Sequence, residues 1–286
     1  MTKTPNLTPA FCNKAYNNRL LVPEAADIIS GWAAASKSLR RRFAALYDLP
    51  YGDGSAERLD LFPAQKEGAP LFVFIHGGYW RSLDKSDFTF VAPALVSAGV
   101  SVAVVNYSLA PKVKIEDIVM ENVRALAWLF RNAGKYGYDR SRIYVGGHSA
   151  GGHLTAMMMC TRWAFYAPDL PADLVKGGVA ISGVYDLEPI RRAKFLNDDL
   201  HLDAASVALL SPAYMKPKVN APLLTSVGGD ESSEFLRQNE LIGKQWRKNF
   251  AGDIAMPGKN HFTICDELAS ADSPLFKAVA GLCLAA

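Results

Sequence analysis

Gly147-His148-Ser149-Ala150-Gly151 decides how this chain folds, because of what stands on either side of it. Before it runs Arg142-Ile143-Tyr144-Val145-Gly146, a β-branched and aromatic run with strand character. After it runs Gly152-His153-Leu154-Thr155-Ala156-Met157-Met158-Met159, a helix-forming run. Strand, G-x-S-x-G, helix is the context in which a sharp turn lifts a serine clear of a sheet. The glycines let the strand turn so tightly, because a side chain there would strike neighbouring backbone. The reading makes Ser149 a candidate nucleophile. It also sets the Ala150 N–H at a helix N-terminus, where it can stabilise an oxyanion.

Upstream, Leu71-Phe72-Val73-Phe74-Ile75 is an uninterrupted apolar run, as expected for a strand buried on both faces. It opens into His76-Gly77-Gly78-Tyr79-Trp80. A glycine pair just past a central strand suits a loop whose N–H groups face a substrate oxygen. Gly77 and Gly78 are therefore expected to complete the oxyanion hole with Ala150. Tyr79 and Trp80 are expected to wall the substrate pocket.

A carboxylate and then a histidine should follow the serine in chain order. Of the five histidines, His76 and His148 belong to the two motifs, His153 lies on the helix after Ser149, and His201 sits in an Asp-rich stretch. Only His261, in the loop Gly258-Lys259-Asn260-His261-Phe262, lies far downstream after a candidate last strand. It is the expected general base. For the acid, the strand Pro222–Val227 runs into Gly228-Gly229-Asp230-Glu231. A glycine, two residues and an acid, counted from Gly228, gives Glu231. Asp230 is the second choice. Adjacent residues of an extended loop point in opposite directions, so only one of the two can meet His261.

With 286 residues, half of them hydrophobic, the chain has the composition of a globular protein with a large core, and its length fits one domain. A net charge of +3 is too small and too scattered to call for nucleic acid or a membrane surface. Cys12, Cys160, Cys265 and Cys283 have no regular spacing and read as free thiols. Met1–Asn6 is polar, so no signal peptide is expected and the cytoplasm is the default compartment. The expected partner is a small-molecule substrate, and a homodimer is an open possibility.

Helical character over 13–45 precedes a hairpin, Ala45–Leu49 and Glu57–Phe62 around Tyr51-Gly52-Asp53-Gly54. Strands at 71–75, 101–106, 142–147, 178–182, 222–227 and 252–256 then alternate with helices at 87–98, 115–134, 150–162, 232–249 and 274–284. A polar helical insertion fills 186–216, and in it Arg191, Arg192 or Lys194 can be imagined meeting a substrate carboxylate. Such alternation predicts an α/β fold, a mainly parallel central sheet with helices on both faces. The dinucleotide fingerprint is missing, because Gly146–Gly152 lacks the G-x-G-x-x-G spacing and comes mid-chain. No cofactor is expected. His76, His148 and His153 can approach one another, but they have no carboxylate partner at a recognised metal spacing, so no metal is expected either.

Five segments together carry a resemblance: His76–Trp80, Gly147–His153, Ser182-Gly183-Val184-Tyr185-Asp186-Leu187, Gly229–Gln238 and Asn260-His261-Phe262. With Tyr16-Asn17-Asn18-Arg19 near the N-terminus, the chain resembles the α/β-hydrolase kynurenine formamidases of the esterase/lipase superfamily. The resemblance spans nearly the whole chain. It implies a single α/β-hydrolase domain over 1–286 with a lid-like insertion at 186–216. It places the nucleophile on Ser149, the base on His261 and the acid on Glu231. It implies hydrolysis of N-formyl-L-kynurenine to kynurenine and formate, with a broad carboxylesterase on small aryl or short-acyl esters as the alternative.

Overall fold

Alternation along Leu71–Ile75 divides the interior in two. Leu71, Val73 and Ile75 join one buried apolar cluster, Phe72 and Phe74 the other. The computed structural model describes residues 7–285; the polar run Met1–Asn6, read above as carrying no leader, lies outside the described residues.

The chain begins with three helices, α1 (Pro9–Ala15), α2 (Asn18–Leu21) and α3 (Ala25–Arg40), where the sequence suggested one helical stretch over 13–45. The break has a local cause. The side chain of Asn17 accepts a hydrogen bond from the Leu20 N–H and so caps α2. The Val22-Pro23 step then stops it. The hairpin follows as β1 (Leu46–Pro50) and β2 (Arg58–Phe62), then β3 (Ala69–Ile75). Next come α4 (Ala92–Ser97), preceded by two short 3-10 turns, β4 (Ser101–Val105), α5 (Ile115–Tyr136), β5 (Tyr138–His148) and α6 (Ala150–Met159). A short α7 (Trp163–Tyr166) leads to β6 (Val175–Ile181). The polar insertion folds as α8 (Glu188–Arg192), α9 (Lys194–Leu200) and α10 (Ala204–Leu210). The chain closes with β7 (Leu223–Gly228), α11 (Ser233–Gln245), β8 (Phe250–Met256), α12 (Thr263–Asp266) and α13 (Pro274–Leu284).

The strands form one eight-stranded sheet in the order β1-β2-β4-β3-β5-β6-β7-β8. Only β2 runs antiparallel to its neighbours; the other pairings are parallel. Leu126 of α5, Leu154 of α6 and Ile242 of α11 pack on one face. Trp32 of α3, Leu95 of α4 and Val279 of α13 pack on the other. The expected α/β architecture is the one found. Because β3, β5 and β7 are parallel, their C-terminal ends open on one edge of the sheet, where ligands bind in such folds.

An ion cluster around the buried Lys85 and Asp60 ties the first hairpin to the loop after β3. Lys85 Nζ donates to Asp48 at 2.6 Å and to the fully buried Asp60 at 2.7 Å, and Arg40 also pairs with Asp60. No described helix is long and apolar enough to cross a membrane.

Candidate active site

Ser149 stands between β5 and α6 with φ 58° and ψ −116°, a left-handed conformation unusual for a side-chain-bearing residue. Such strain, on the order of 1–3 kcal/mol, persists only where the surroundings impose it. Here the Ser149 N–H donates to the Ile181 carbonyl at 2.8 Å, and the Ser149 carbonyl accepts from the Gly152 N–H at 2.9 Å. Gly151 permits the approach of α6 to β3: a Cβ there would lie 1.9 Å from the Ile75 oxygen. The loop after β3 folds against the same turn. A Cβ on Gly77 would stand 3.0 Å from that of Ser149, so this backbone lies directly beside the serine. Gly78 has φ +110°, and no larger residue would fit, since its Cβ would meet the Ser82 carbonyl oxygen at 2.1 Å. Ala150, fully buried, begins α6.

The loop between β8 and α12 delivers His261 to the serine. Its Nε2 lies 3.0 Å from Ser149 Oγ, and its Nδ1 lies 2.6 Å from Glu231 Oε2. Of the two competing acids, Glu231 is buried and Asp230 is exposed to solvent. The other Glu231 oxygen, Oε1, accepts from the Gly228 N–H at 2.8 Å and from Ser182 Oγ at 2.5 Å. The carboxylate is thus held on both oxygens. Ser182 is itself fully buried and left-handed, with φ 49°.

The remaining motif histidines do other work. His148 Nε2 donates to the His261 carbonyl at 2.7 Å, which ties the elbow to the histidine loop. Burial, and then the neighbouring His261, holds His148 well below the usual histidine range, so it stays neutral. His76 stacks on Tyr107, ring centroids 4.2 Å apart. His153 Nε2 donates to the Leu210 carbonyl at 2.8 Å. Each of the three rings turns toward a different carbonyl. Among the described residues, no group of three His, Cys, Asp or Glu side chains could hold a metal. The four cysteines are buried free thiols.

A cavity of about 430 Å³ opens over Ser149 and His261. Ile29, Trp32, Leu83 and Phe262 give it an apolar wall, and Asn17, Arg19, Arg81 and Asp199 a polar one. Tyr79 lines it as well. Burial raises the Tyr79 phenol well above its usual range, and the neutral hydroxyl donates to the Tyr16 carbonyl at 2.7 Å. Tyr16 in turn donates to Glu234 at 2.9 Å and accepts from Gln238 Nε2 at 2.9 Å. Gln238 also receives the N–H groups of Tyr185 and Asp186.

Comparison with known proteins bears on this geometry. A family described as BD-FAE matches residues 59–218. The kynurenine formamidase of Salmo salar is 30% identical over 92% of this chain and 90% of its own length. That of Danio rerio is 32% identical over 75% of this chain and 74% of its own. The chain belongs to the kynurenine formamidase family. It is a hydrolase with the α/β-hydrolase fold. A solved protein from Silicibacter sp. tm1040, assigned as a thioesterase, superposes with a TM-score of 0.84 at 31% identity, over 96% of this chain and 98% of its own.

Two segments that carried the formamidase resemblance meet in space: Tyr16 of the N-terminal Y-N-N-R run touches Glu234 and Gln238 of α11. Sequence reading gave this N-terminal wall no role, since partners 218 residues apart leave no local pattern. Two expectations need correction. Trp80 does not wall the pocket: it is fully buried, edge-on to His153 at 5.0 Å. Both Tyr79 and Trp80 have left-handed backbone. Arg191, Arg192 and Lys194 do not line the cavity. Glu188 pairs with both arginines and Asp198 with the lysine. From the insertion, Phe195 and Asp199 of α9 reach the cavity instead.

Proposed function

We propose that this formamidase-family protein hydrolyses N-formyl-L-kynurenine to L-kynurenine and formate in tryptophan breakdown. The observation that supports it best is the hydrogen-bonded series from Ser149 through His261 to Glu231, opening into a cavity walled by aromatic side chains. In this reading, His261 Nε2 takes the hydroxyl proton as Ser149 Oγ attacks the formyl carbon. The oxyanion is received by the N–H groups of Gly77 or Gly78 and of Ala150, each worth about 3–4 kcal/mol of barrier. Glu231 keeps the Nδ1–H tautomer and stabilises the imidazolium. His261 then gives its proton to the departing arylamine as the carbon–nitrogen bond breaks. Water, deprotonated by the same imidazole, attacks the formyl-serine, and formate leaves as the serine regains its proton.

The whole chain acts as one hydrolase domain, with the helices of the 186–216 insertion as its lid and the cytoplasm as its compartment. Formate release from N-formyl-L-kynurenine at micromolar substrate tests the reaction. Ser149→Ala should lose several orders of magnitude in turnover while folding normally, since the members of such a triad act as a unit. Retained turnover in that variant rejects the serine mechanism.

A second reading, a broad carboxylesterase on small aryl or short-acyl esters, draws on the apolar wall of Ile29, Trp32, Leu83 and Phe262, which any aryl group can occupy. The ratio of kcat/KM on N-formyl-L-kynurenine to that on p-nitrophenyl acetate separates the two.

A further inference from the structure

The Tyr16-Asn17-Asn18-Arg19 run lies at the pocket, and three of its four side chains have a structural task. Tyr16 is bonded to α11. Asn17 caps α2 through the Leu20 N–H. Asn18 Nδ2 donates to the Tyr79 hydroxyl at 3.4 Å, which docks the run beside the Gly77-Gly78 loop. Arg19 has no such task. It lines the cavity, is exposed, and makes no side-chain hydrogen bond or ion pair to any described residue.

The other charges of the cavity are matched. Arg81 donates to Asp199 at 2.5 Å and to the Phe195 carbonyl at 2.7 Å, so that pair is neutral together. His261 faces Glu231, and burial keeps His148 uncharged. Arg19 is left as the cation without an anion. A guanidinium presents a planar fork of donors that fits a carboxylate. Trp32 and Phe262 line the same cavity with flat apolar surfaces.

We infer that Arg19 anchors a substrate carboxylate, so the pocket selects aryl acyl compounds that carry an anionic side chain. The aryl ring lies on the apolar wall, the scissile acyl group reaches Ser149, and the carboxylate pairs with the guanidinium at the rim. The inference rests on the proposed hydrolysis at Ser149 and adds the element that distinguishes an amino-acid substrate from a neutral ester.

Two substrate pairs test it: N-formyl-L-kynurenine with its carboxyl methyl ester, and a carboxyethyl-substituted phenyl acetate with phenyl acetate itself. Arg19→Gln should lower kcat/KM on the carboxylated member of each pair by about tenfold, as for loss of a charge-assisted hydrogen bond. The neutral member should change less than about twofold. Arg19→Lys, which keeps the charge and loses the fork, should fall between. Equal loss on charged and neutral substrates, or no loss on either, overturns the subsite. A wild-type protein inactive on N-formyl-L-kynurenine, with Arg19 still separating the ester pair, overturns the formamidase reading and upholds the subsite.

Discussion

Ser182 Oγ donates to Glu231 Oε1 at 2.5 Å, leaving Glu231 Oε2 to face His261 Nδ1 at 2.6 Å. The serine thereby fixes which way the carboxylate points. Because Ser182 does not line the cavity, it acts through Glu231 as a positioning residue. Ser182→Ala should lower kcat by roughly tenfold, the scale of one lost hydrogen bond to a charged group. KM should hold steady. Steady-state kinetics that show a raised KM with unchanged kcat would contradict this role.

Glu231 and Asp230 are adjacent, yet only Glu231 is buried against His261. An amide at Glu231 presents the wrong group to Nδ1; in a serine protease the equivalent change lowered turnover about 10⁴-fold. Glu231→Gln should be severely impaired, and Asp230→Asn should keep most of its activity. Comparison of the two kcat values decides the matter, and the reverse order would move the acid to Asp230.

Acid stability should depend on His153. Burial lowers its pKa to about 4, well below the roughly 6.5 of an unfolded chain. Above that unfolded value neither state is protonated, and the site contributes nothing. As pH falls through the window, the unfolded chain takes up a proton that the folded one refuses, so stability drops. Between pH 6.5 and 5 the loss from this site is about 1.5 kcal/mol. His153→Gln should flatten the fall by that order in urea titrations, and an unchanged slope would argue against it.

Lys85 lies in a nearly closed environment between Asp48 and Asp60. Lys85→Met would leave the buried Asp60 with Arg40 alone. Removing one partner of a buried pair costs about 3–5 kcal/mol. Arg40 offsets part of this, so the lower end is expected in the unfolding free energy. A change under about 1 kcal/mol would show that Arg40 alone satisfies Asp60.

Much of the site was written locally. The apolar run Leu71–Ile75 is buried throughout, as its composition requires. The elbow needs its glycines where the motif puts them, and His261 followed from chain order. Glu231, and not Asp230, faces His261, and its carboxylate reaches back to the Gly228 N–H, the glycine from which the spacing is counted. The salt bridges of Arg191 and Arg192 were also readable, since Glu188 stands three and four residues before them. What sequence withheld depends on distant pairing. Nothing near Trp80 announces that it will pack on His153, and nothing near Tyr16 announces Gln238. Ser182 showed itself only as part of a family-like segment, because its partner Glu231 lies 49 residues away.

The wall built from Tyr16 and Trp32 bears on synthesis as well as catalysis. Tyr16 is secured by Glu234, 218 residues later, and Trp32 Nε1 donates to Asp266, 234 residues later. A chain leaving the ribosome releases this wall more than 200 residues before the groups that hold it. Closing such long loops is slow, and apolar surface waiting for its partner is open to aggregation in the interval. On the proposed mechanism, a nascent fragment that ends before His261 is inactive, however complete its elbow. The interval before the last strand and its loop emerge is when the N-terminal helices most need a chaperone.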